Sequence, residues 1–124
     1  MLSKLTNQQG FTLIEMVAVM VIVGIMASVG VVKYERFTKT AIENEFYIAL
    51  RELNVRESLH FFDARLSDTY IDDENIFDRI NFDLGAARWR SGPASTGGQL
   101  QIQGAVAVLS RAESSRAGPA QWTK

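Results

Sequence analysis

Hydrophobic and polar positions divide the chain into stretches of different rhythm. The first ten residues are mostly polar. From Phe11 to Val32 the chain is almost wholly apolar, with Glu15 the only charge among those 22 residues. A bilayer-spanning helix needs about 20 mostly apolar residues, and the uncharged part, Met16 to Val32, reaches the lower limit of roughly 17. A secretory signal peptide would show a shorter apolar core followed by a small-residue cleavage site. Here the small residue, Gly10, precedes the run, and nothing of that kind follows Val32.

From Lys33 to about Ala64 the spacing stays helical but becomes amphipathic, with no proline or glycine between Gly30 and Gly85. Helix formers are frequent throughout this stretch. Two apolar stripes emerge at 100° per residue. One holds Tyr34, Phe37, Ala41, Ile48, Val55, Leu59, Phe62 and Leu66. The other, well around the helix, holds Ile42, Phe46, Ala49, Leu50 and Leu53. A surface helix normally carries one stripe for one core, so two stripes imply two partners. The simplest assignment gives one to this chain's own C-terminal part and the other to neighbouring molecules.

Ile76, Phe77, Ile80 and Leu84 recur at helical spacing after the acidic Asp72-Asp73-Glu74, and Gly85 follows as a helix stop. A short second helix is therefore expected over residues 73–84. Ser91-Gly92-Pro93 and Thr96-Gly97-Gly98 are turn signals. Leu100, Ile102, Val106 and Val108 then alternate with Gln101, Gln103, Ala105 and Ala107, the period of a half-buried strand. Gly104 marks a bulge or a tight turn within it, giving one bent strand or a small hairpin. In total the pattern supports two or three strands. The tail from Ala112 to Lys124 is polar apart from Trp122.

Glu15 is the chemical anomaly of the apolar run. A bare carboxylate in lipid costs roughly 2.5–3.5 kcal/mol on insertion scales. It must stay protonated or meet a cation, and residues 11–32 contain none. The partner therefore comes from another molecule or from a charge made by processing.

Gly10 followed by Phe11-Thr12-Leu13-Ile14-Glu15 and an unbroken apolar stretch resembles the N-terminus of type IV pilins and of the pseudopilins of type II secretion. The resemblance covers residues 1 to about 34. It implies that a membrane-embedded prepilin peptidase cuts between Gly10 and Phe11 and methylates the new amine of Phe11. It also implies that Glu15 pairs with the N-terminal amine of a neighbouring subunit during assembly. Low dielectric makes such a pair strong when formed and costly when broken. Many pilins carry a proline late in the apolar run; here the stretch reads Ser28-Val29-Gly30-Val31-Val32, leaving Gly24 and Gly30 as the points of helix flexibility.

The organisation expected on this basis is a leader at residues 1–10, a long helix at 11–64 that spans the membrane over 11–32, and a small globular head at 65–124. The fold class is α+β: a long N-terminal α-helix, membrane-spanning then amphipathic, and a head with a short helix and a small antiparallel sheet. The role implied is a structural subunit of a type IV pilus-like filament, with a type II secretion pseudopilin or a minor pilin as the alternative. Absent cysteine and a small head lean toward the alternative, since many pilins close a C-terminal loop with a disulfide. From a different class, an unprocessed single-pass protein could present a periplasmic binding head.

Partners implied are copies of the chain or related pilins, prepilin peptidase, an inner-membrane assembly platform and membrane lipid. Localisation would be single-pass in the inner membrane with a periplasmic head, then a periplasmic or extracellular filament. Basic residues alone, Lys4 before the run and Lys33, Arg36 and Lys39 after it, would favour the opposite orientation.

Net charge of −1 argues against nucleic acid as a partner. Charge is uneven along the chain, however: residues 35–83 hold twelve acids and six bases, whereas residues 84–124 hold one acid and five bases. That asymmetry can hold the head onto the helix or join subunits. His60 stands alone among Leu59, Phe61 and Phe62, and no phosphate-binding, nucleophile-elbow or zinc-protease motif occurs, so no enzyme is expected. No cofactor is expected either. Asp72, Asp73 and Glu74 are weak candidates for calcium, a metal known in the heads of core pseudopilins, but their spacing matches no EF-hand.

Overall fold

The computed structural model describes residues 10–67 and 72–124; the expected leader at residues 1–9 and the polar stretch at 68–71 lie outside them. The fold is α+β. A long helix α1 (Leu13–Leu66) is followed by a short helix α2 (Asp73–Arg79) and by strands β1 (Arg88–Ala94), β2 (Gly97–Ile102), β3 (Ala105–Ala112) and β4 (Gln121–Thr123). The chain divides into two units, up to Thr38 and from Lys39 onward.

In the first unit α1 carries no charge from Met16 to Val32 and is apolar on nearly every side there. It is long and apolar enough to cross a membrane, and none of that window is buried within the protein. Its helical conformation follows from satisfying every backbone group internally, which the lipid interior would require. The helix runs unbroken through Gly24 and Gly30, and a Cβ added at either glycine would meet nothing within 4 Å.

In the second unit four antiparallel strands in the order β1-β2-β3-β4 lie against α1. The stripe that meets the sheet is Phe46, Ala49 and Leu53, with Ile42 and Leu50 packed at its margin. Leu100, Ile102, Ala107, Leu109 and Trp122 face it from the sheet. Burying the larger of these, such as Phe46, Leu53, Leu100, Ile102 and Leu109, contributes about 1.5–3 kcal/mol each before entropy is counted. A smaller cluster joins Phe61 of α1 to Ile76 of α2 and to Ile80, with Phe82 between the two clusters. The other stripe stays outside: Ile48, Val55, Leu59, Phe62 and Leu66 are all exposed.

The head departs from the sequence pattern in several places, and its sheet has four strands where two or three were expected. Helix α2 ends at Arg79, not at residue 84. Past it, the Asn81 carboxamide oxygen accepts the Asp83 N–H at 2.8 Å, and the Asp83 carboxylate accepts the Gly85 N–H at 3.0 Å. These side chains offer the backbone turns in place of helical bonds.

The alternating run is a hairpin, and its parity reverses at the turn. Gln103 and Gly104 both have positive φ (48° and 88°), as a two-residue hairpin turn with matching twist requires. Ile102 therefore pairs with Ala105 and Leu100 with Ala107. Even residues face the helix before the turn and odd ones after it, so Val106 and Val108 lie on the outer face.

Ser91-Gly92-Pro93 is not a turn between strands but lies inside β1, where the register with β2 shifts on either side of Ser91. Trp122, isolated in a polar tail, belongs to β4 and is buried in the core. Its backbone is held by a helix side chain: Asn54 accepts the Trp122 N–H at 2.7 Å and donates to its carbonyl at 3.1 Å. Thus Asn54 bonds to β4 as a neighbouring strand would.

Candidate functional site

At the N-terminal junction, Gly10, Phe11 and Thr12 are outside the helix and exposed, and α1 begins at Leu13. The helix start is built from Thr12-Leu13-Ile14-Glu15. The Glu15 backbone N–H donates to the Thr12 hydroxyl oxygen at 3.3 Å, while Glu15 Oε2 accepts the Thr12 N–H at 2.8 Å and its hydroxyl at 2.9 Å. The Met16 N–H closes the first turn on the Thr12 carbonyl at 3.2 Å. This is a capping box, in which the cap residue and the third helical residue satisfy each other's backbone donors. Thr-x-x-Glu is its sequence signature, and the reading of Glu15 as a carboxylate without an internal partner overlooked it. Both bonds from Thr12 fall on Oε2, so Oε1 is left for a further donor.

Chemically, the arrangement offers two things. An exposed, non-helical peptide at Gly10–Phe11 is a form in which a protease can engage a chain. A carboxylate fixed in the first helical turn lies near the positive end of the helix dipole, where negative charge is stabilised.

Val55, Leu59 and Phe62 of the exposed stripe, with Tyr47 and the half-buried Leu50 beside them, line a broad apolar groove of about 720 Å³ along α1, together with Arg51, Asn54 and Ser58. Contiguous apolar surface of this kind marks a contact site.

The acidic candidates separate by environment. Asp73 Oδ2 accepts from Arg111 Nη1 at 2.7 Å. Asp73 Oδ1 accepts from Arg111 Nη2 at 2.8 Å and from the Ser114 N–H and hydroxyl at 2.7 and 2.6 Å. Burial pushes the Asp73 carboxyl up, but the bonds from Arg111 and Ser114 outweigh it and hold the group below its ordinary range. Asp72 and Glu74 lie beside it in an open pocket with Asp78 and Glu113. Among the described residues no group of His, Cys, Asp or Glu is arranged to hold a metal ion.

Arg111 is a residue that sequence reasoning missed. It is buried on β3, and all five of its N–H donors are used. Nε and Nη2 bond Glu57, Nη1 and Nη2 bond Asp73, and Nη1 also reaches the Ser95 carbonyl at 3.1 Å. Glu57, fully buried on α1, accepts in addition from the Trp122 indole at 2.9 Å. Burial opposes the guanidinium charge, yet the bonds to Asp73 and Glu57 raise the Arg111 pKa above its ordinary value. The cluster ties α1, α2, β3 and β4 together in a head that has no cysteine.

Residues 5–31 match the family model of the prokaryotic N-terminal methylation motif. The chain carries the N-terminal signature of type IV pilin-like and pseudopilin proteins. This pilin-type motif contains the Gly10–Phe11 junction, the Thr12–Glu15 capping box and both Gly24 and Gly30, and it stops short of the head. No curated protein and no solved structure gives a significant match to the chain.

Proposed function

We propose that the chain is the precursor of a filament subunit of the type IV pilin class. Prepilin peptidase cuts between Gly10 and Phe11 and methylates the Phe11 amine. The apolar part of α1 anchors the subunit in the inner membrane with its head in the periplasm, and subunits then polymerise. The observation that carries this reading is the capping box inside the methylation motif. It presents Glu15 in the first helical turn with one carboxylate oxygen committed to Thr12 and the other available. Cleavage supplies the missing cation at Phe11, four residues away.

The exposed stripe adds the second support. A pilin-like subunit needs a face for its own head and a face for its neighbours, and α1 has one buried and one bare apolar stripe from Ile48 to Leu66. Within the class, a pseudopilin or minor-subunit role is favoured by a head stabilised through Arg111, Glu57 and Asp73 without any disulfide.

The test separates cleavage from assembly. Glu15→Ala should be cut and methylated like the wild type yet fail to enter filaments. Normal filaments from that variant would contradict the role given to Glu15.

A further inference from the structure

Where the apolar run ends, α1 carries a shallow groove of about 310 Å³ lined by Ser28, Val29, Val32, Lys33 and Arg36. Val29, Val32, Lys33 and Arg36 fall at i, i+3, i+4 and i+7, a single helix face. The face is apolar at its membrane end and cationic at its exit. The Ser28 hydroxyl donates to the Ile25 carbonyl at 2.7 Å, so its proton is used within the helix. Among the described residues neither Lys33 nor Arg36 enters an ion pair. Tyr34 and Phe37, each 74% exposed, flank the cations, and tyrosine prefers the headgroup level.

We propose that this groove binds an anionic phospholipid, with its phosphate between Lys33 and Arg36 and its upper acyl chain along Val29 and Val32. The inference rests on the reading of α1 as a membrane anchor with the head outside the cytoplasm. In that orientation the positive-inside rule gives no reason for basic residues on this side, because topology favours them on the other. Their charge therefore calls for a counter-ion in the outer leaflet of the same membrane. Basic side chains near a bilayer surface snorkel to the phosphate level and gain from anionic lipid there. The groove's change from apolar to cationic over about two helical turns follows the order of chain and headgroup in a phospholipid. Inorganic phosphate would match Lys33 and Arg36 but would not use Val29 and Val32.

The full-length chain reconstituted in nanodiscs of phosphatidylcholine with a minor share of phosphatidylglycerol tests this by native mass spectrometry of retained lipid. Wild type should retain phosphatidylglycerol in preference to phosphatidylcholine, and excess soluble glycerol phosphate should not displace it. Lys33→Gln or Arg36→Gln should cut the preference roughly fivefold, and the double variant ~20-fold. Lys39→Gln, which removes the same charge outside the groove, should leave it unchanged.

Equal retention of both lipids by wild type overturns the proposal. So does displacement by glycerol phosphate, or a loss in Lys39→Gln as large as in the groove variants. Failure of the chain to enter nanodiscs of either composition would instead overturn the membrane reading on which the proposal rests.

Discussion

Arg111 and Glu57 meet in the interior of the head, the one on β3 and the other on α1, with both side chains fully buried. A pair so deep is costly to desolvate and is tolerable only when every donor and acceptor is used. Arg111 meets that condition through Asp73 and Ser95, and Glu57 through the Trp122 indole. Arg111→Ala leaves Glu57 buried without its counter-ion and should lower stability by about 3–5 kcal/mol. Urea unfolding of the full chain in detergent, followed by tryptophan fluorescence, checks this. A loss below about 1 kcal/mol would mean that the pair does not hold the head.

Asp73 sets the acid limit of the same cluster. Its carboxyl is held below the ordinary value by Arg111 and Ser114, so the folded state binds its proton less readily than the unfolded chain does. The stability it contributes is therefore present above the unfolded value of about 3.9 and is lost as pH falls through the lower folded value. Melting curves between pH 6 and pH 2 should show a smaller acid-induced drop in Asp73→Asn than in wild type. Parallel curves for the two proteins would sink the assignment.

The β2–β3 ladder passes so close to Gly97 that the position accepts no side chain. A Cβ there would lie 2.1 Å from the Leu109 carbonyl oxygen, at a φ of +137°. Backbone contacts cannot move aside as a flexible side chain can, and this φ is one that other residues rarely adopt. Gly97→Ala should destabilise the head by at least ~2 kcal/mol. Gly104→Ala, at a positive φ but with open space around it, should cost less. The reverse order in a chemical melt would contradict the described pairing.

The bare stripe should matter for assembly and not for folding. Leu59 and Phe62 are exposed and lie on the apolar groove. Leu59→Asp and Phe62→Asp should leave the melting transition within about 0.5 kcal/mol of wild type, while filament yield, read by sedimentation and electron microscopy, falls several-fold. Full yield from both variants would remove this face from the subunit contacts.

Much of the fold was legible because burial on α1 follows periodicity. Phe46, Ala49 and Leu53 read as one stripe, and that stripe meets the sheet. Its continuation through Glu57 and Phe61 was hidden because a carboxylate at the next helical position reads as the end of an apolar face. Only the tertiary partners Arg111 and Trp122 turn Glu57 into an interior residue. The inward face of β3 was misread for a related reason: the two-residue turn at Gln103-Gly104 reverses parity, which a continuous alternation cannot reveal. Trp122 lies on a three-residue strand, too short to show any period. At the N-terminus the motif was visible and its local geometry was not, although Thr12-x-x-Glu15 was there to be read as a capping box.

Processing at the Gly10–Phe11 junction is read most directly from the mass of the chain after co-expression with a prepilin peptidase. The prediction is a product that lacks residues 1–10 and carries one added methyl group on the amine of Phe11. An intact chain still beginning at Met1, beside a known pilin precursor cut by the same peptidase in the same cells, would contradict it.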